Sequence, residues 1–96
     1  MELIDMYRLL IGGYLGISKM DEYTSKEYIL KEVDKYIKEF MSENPISNFN
    51  YQQEKDELEK LPLYRKLQDA ILVINKINGP LELTLLIREK LKELGH

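Results

Sequence analysis

Groups able to make and break bonds are scarce in these 96 residues. Cysteine is absent, and the single histidine is His96, the last residue given, where a fixed geometry is hard to hold. Nucleophile–base triads and zinc sites therefore lack their members. The carboxylates Asp21/Glu22 and Asp56/Glu57 are sequence neighbours. Neighbours on a helix point about 100° apart, so neither pair converges on a substrate. A di-iron bundle needs inward glutamates with a Glu-x-x-His motif, which does not occur. Gly12-Gly13 lacks the correctly placed lysine and serine of a phosphate loop. The expectation is a chain that is not an enzyme and has no cofactor or metal.

Recognition chemistry remains. Phe49 and Tyr51 stand out in the polar stretch from Ser42 to Gln53, otherwise marked by Asn44, Pro45, Ser47, Asn48 and Asn50. Such aromatics either pin a loop to the body of the protein or anchor a partner. The formal charge of −3 argues against a nucleic-acid binder, which needs a concentrated positive face. That charge is unevenly spread. Residues 1–61 hold eight Lys/Arg against thirteen Asp/Glu, and residues 62–96 six against four. The modestly positive C-terminal part suits an acidic partner or a membrane surface.

These groups must be positioned by helices. From Pro62 to Leu94 the spacing predicts a helical hairpin. Its first arm carries Tyr64, Leu67, Ile71, Ile74 and Ile77, and its second Leu83, Leu86, Ile87, Leu91 and Leu94. Between them Gly79 is expected to be left-handed and Pro80 to open the second arm. So short a connection makes the arms antiparallel.

Residues 2–17 are apolar nearly all round, as in a helix central to its bundle or covered by a partner. Gly12, Gly13 and Gly16 imply a frayed or broken last turn with Gly16 as the stop. The alternative is close helix–helix approach across Gly12 and Gly16, one turn apart. The second helix opens on a capping box, Thr24 with Glu27, and on a staple of Tyr23 with Tyr28. Its inner face is Ile29, Leu30, Val33, Tyr36, Ile37, Phe40 and Met41; Glu27/Lys31 and Asp34/Lys38 are favourable pairs on the outer one. Asn44-Pro45 ends it. A short acidic helix from Gln52 to Lys60 turns Tyr51, Leu58 and Leu61 inward and breaks before Pro62.

The fold expectation is a single all-α domain: an antiparallel four-helix bundle with a short extra helix before Pro62. The longest uncharged run, Leu9 to Ser18, is ten residues, about half of a membrane span. Glu2 and Asp5 stand where a signal peptide would be basic, so the expected location is cytoplasmic.

Two resemblances bear on function. Tyr14-Leu15-Gly16-Ile17-Ser18-Lys19 resembles the turn of helix-turn-helix DNA readers, but Glu22 then falls where that motif wants an aliphatic residue. This gives the alternative of a small DNA-binding regulator; a homodimer burying the first helix is another.

The order of parts resembles the immunity proteins that protect producers of pediocin-like bacteriocins, through Leu3-Ile4-Asp5-Met6-Tyr7, Ile17-Ser18-Lys19 to Phe40, and Pro62-Leu63-Tyr64 to Leu94. The loop around Phe49 departs from their pattern, and the tail those proteins often carry has no counterpart before His96. The resemblance implies a cytosolic bundle whose C-terminal half recognises a bacteriocin–receptor complex at the membrane. It would make Arg65, Lys76, Arg88 and Lys92 partner-binding cations; otherwise they are ordinary solubilising charges.

Overall fold

The computed structural model describes residues 2–20 and 25–95. The Thr24 capping box, the Tyr23 half of the staple, Asp21/Glu22 and His96 lie outside the described residues. Five helices follow in order: α1 (Leu3–Ser18), α2 (Lys26–Glu43), α3 (Tyr51–Glu59), α4 (Leu63–Lys76) and α5 (Leu81–Glu93). Among the described residues there is no strand.

The helix ends follow from the local sequence. Pro62 and Pro80 stand at the N-caps of α4 and α5, where a missing N–H costs nothing. Asn50 caps α3, its side chain accepting from the Gln53 N–H at 3.0 Å. α2 stops at Asn44, before Pro45, as its sequence requires.

The α4–α5 turn differs from expectation in one residue. Asn78, not Gly79, takes the left-handed conformation, with φ 54°. The Gly79 N–H then reaches back to the Ile74 carbonyl at 2.8 Å, closing a Schellman turn. Asparagine tolerates that conformation, and glycine is needed next to it for space. A Cβ on Gly79 would lie 2.8 Å from Ile74 Cγ2 and 3.2 Å from Ile29 Cδ1.

The principal correction concerns α1. Gly16 does not stop it; the helix runs on to Ser18, and Gly12, Gly13 and Gly16 are all buried. They let α1 lie directly on α4, the most extensive helix contact in the molecule. A Cβ on Gly16 would collide with the backbone carbonyl of Lys66, and one on Gly13 would meet Val73 Cγ2 at 2.5 Å. The facing residues of α4, Ala70 and Val73, are small or short and fully buried. Its buried face is therefore Leu67, Ala70, Val73 and Ile74, while Tyr64, Ile71 and Ile77 are only partly covered. The α4–α5 hairpin exists, but α1 is what α4 is fitted to.

One core joins Leu10 and Ile17 of α1 to Ile29, Val33 and Ile37 of α2, the inner face of α4, and Leu83, Ile87 and Leu91 of α5. A smaller cluster, Ile11, Leu15 and Leu58, seats α3 on α1. Within the chain, α1 buries Tyr7, Leu10 to Gly13 and Leu15 to Ile17, while Leu3, Ile4, Met6, Leu9 and Tyr14 are only partly covered. Leu94, expected to face inward, is 45% exposed beyond the end of α5.

Candidate binding surface

α5 presents two apolar stripes. Leu83, Ile87 and Leu91 enter the core. Leu81 and Leu85, two positions out of phase with them, remain 64% and 52% exposed. Steps of four, three and four residues continue that outer stripe through Arg88 to Lys92, so all four share one face. Leu85, Arg88, Glu89 and Lys92 line an open groove of 390 Å³. Among the described residues neither Arg88 nor Lys92 forms an ion pair or a side-chain hydrogen bond. Both cations are exposed. Leucines in water beside uncommitted cations form an amphipathic strip suited to an apolar segment carrying acidic groups.

The other sequence candidates are dispersed. Arg65, also exposed, lines a separate groove with Asp5, Arg8 and Asp69. Lys76 lies over the rings of Tyr36 and Phe40, 5.3 and 5.5 Å from their centres. Phe49 is half-buried, edge-on to Tyr7 with ring centres 4.8 Å apart. Tyr51, the first residue of α3, packs against the core clusters. The aromatics therefore fasten the 44–50 loop, and only Arg88 and Lys92 come together.

Three features escaped sequence reasoning. The Leu81/Leu85 pair was visible in principle, as an i, i+4 pair offset from the inward stripe. Lys66 is the second. It is 4% exposed; its Nζ donates to the Glu59 carbonyl at 2.7 Å and lies 3.6 Å from the Glu59 carboxylate. That carboxylate also pairs with Lys19 at 2.7 Å. The Lys19 hydrogen bond, aided by the Lys66 charge, holds the Glu59 carboxyl below its usual range. This network ties the end of α1 and the end of α3 to the start of α4. Its signal was that position 66 falls at inward helical spacing with positions 63, 67 and 70.

The third is Asp69, whose carboxylate lies against Gly12. Burial pushes its pKa up to about 6, against the pull of the Arg65 charge.

Elsewhere Asp34 and Lys38 pair at 2.9 Å as their spacing implies, whereas among the described residues Glu27 and Lys31 form no ion pair. Leu15-Gly16-Ile17, which a helix-turn-helix would bend, is continuous helix. Among the described residues no group of three or more acidic or histidine side chains is placed to hold a metal, and no helix is long and apolar enough to cross a membrane.

Compared with protein-family models, curated proteins and solved structures, the chain matches none.

Proposed function

We propose that this chain is a non-catalytic binding protein that engages a macromolecular partner, a protein rather than a nucleic acid, through the outer face of α5. The observation that carries the reading is the alignment of exposed Leu81 and Leu85 with Arg88 and Lys92, which form no ion pair among the described residues. In this reading α1, α2, α4 and α5 form an antiparallel four-helix bundle, with α3 as the short extra helix. The four-residue α4–α5 connection, 77–80, and the single core spanning those helices support it. The more specific form is an immunity factor acting in the cytoplasm against a pediocin-like bacteriocin. It rests on the helix-order resemblance and on the cationic face falling in the C-terminal half.

The test is survival of a sensitive strain expressing the chain when challenged with pediocin-like peptides. Protection is expected with the native sequence, and its loss with the double variant Leu85→Ser/Arg88→Glu, checked for unchanged helix content. Absence of protection sinks the immunity role. Protection that survives the double variant sinks the α5 face.

A further inference from the structure

A second surface, away from α5, has the build of a small-molecule site. α3 is seated on α1 rather than along α2. A cleft of 370 Å³ is left between α2 and α3, within the range of small-ligand pockets. Its apolar part is Ile37, which is 2% exposed, with Met41 beside it. Two aromatic rings from different helices, Tyr14 of α1 and Tyr51 of α3, line it as well. Rings and a methionine make a surface on which a flat apolar body packs well.

The polar groups are asymmetric. Lys38 is already neutralised by Asp34 at 2.9 Å. Lys55 is held over the Tyr14 ring, 5.8 Å from its centre, and among the described residues it forms no ion pair. The rim therefore carries one net positive charge above an aromatic and thioether lining. Burial pushes the Tyr51 phenol up from its ordinary value, so at neutral pH it adds a hydroxyl donor and no negative charge.

We infer that the cleft between α2 and α3 binds a planar aromatic carboxylate, its ring system against Tyr14, Met41 and Tyr51 and its carboxylate on the Lys55 ammonium. An aliphatic carboxylate makes the ion pair without the ring packing. An uncharged aromatic packs but leaves the cation uncompensated.

The experiment titrates the full chain with 2-naphthoate, followed by amide chemical shifts, alongside 2-naphthalenemethanol and octanoate. Saturable binding of 2-naphthoate is expected, with shifts concentrated around Tyr14, residues 37–41 and residues 51–55. The neutral alcohol should bind about tenfold more weakly, as should 2-naphthoate to Lys55→Gln, the loss that one charge-assisted contact predicts. Octanoate should also be weaker than 2-naphthoate. Met41→Trp, filling the cleft, should abolish binding. Lys55→Gln, a change at the rim, keeps the test decisive if Met41→Trp does not fold. Absence of saturation, shifts centred elsewhere, or equal affinities for 2-naphthoate and either analogue would overturn the assignment. So would unchanged affinity in folded Lys55→Gln.

Discussion

Asp69 shows how a single carboxyl records the closeness of α1 and α4. Its carboxylate faces Gly12, and Asp5, Arg8 and Arg65 line the groove beside it. With a folded-state pKa of about 6, above the roughly 3.9 of an unfolded aspartate, the proton is held more tightly in the folded protein. Its contribution to stability is therefore fully present below pH ~4 and is lost as pH rises through ~6. Asp69→Asn should flatten that part of the pH–stability profile. At neutral pH it should stabilise the protein by about 1–2 kcal/mol, partial exposure screening the rest. Urea denaturation at pH 4, 6 and 7.5 measures this; an Asp69→Asn variant less stable than the parent at pH 7.5 would contradict it. Nothing in the sequence distinguishes Asp69 from other acidic residues on helices. Its environment is made by Gly12, 57 positions away, and local pattern carries no information about that pairing.

Between elements, the decisive contact is backbone to backbone. A Cβ at Gly16 meets the Lys66 carbonyl, which cannot move aside, whereas at Gly12 it meets the end of the Asp69 side chain, which can. Gly16→Ala should therefore cost about 2–3 kcal/mol and Gly12→Ala less, although both gain helix propensity. Calorimetric or denaturant midpoints give the order directly, and equal or reversed costs would show that the helices are not pressed together at Gly16.

A second order tests which face of α4 is central. Ile74 is 1% exposed and Ile71 only partly covered. Ile74→Ala should cost about 2–5 kcal/mol and Ile71→Ala clearly less, as judged by the same midpoints. Helix positions and types were legible from periodicity and prolines, and so were most inward residues of α2. The partner of α4 was not. Leu and Ile stripes announce that a face is buried but not against what, and the small residues that choose α1 over α5, Gly13 facing Val73 and Gly16 facing Lys66, fit a broken last turn as readily as a close approach when read alone.

For the molecule as a whole, these contacts divide labour among the helices. α1 packs against α4, α2 and α3, and the Lys19–Glu59–Lys66 network fastens the ends of α1 and α3 to α4. α5 gives only its Leu83–Ile87–Leu91 side to the core and leaves Leu81, Leu85, Arg88 and Lys92 outside. The sequence marked Arg88 and Lys92 through a family likeness, but their alignment with the outer leucines appears only once the inner stripe of α5 is known. A protein arranged in this way should be most resistant to opening along the α1–α4 seam and least along α5. Native-state amide hydrogen exchange measures that order. Amides of residues 10–17 and 67–74 should exchange only by global unfolding, with those of α5 exchanging sooner through local opening. Early exchange in α1, with α5 protected to the global limit, would contradict the central place given to the glycine-lined contact.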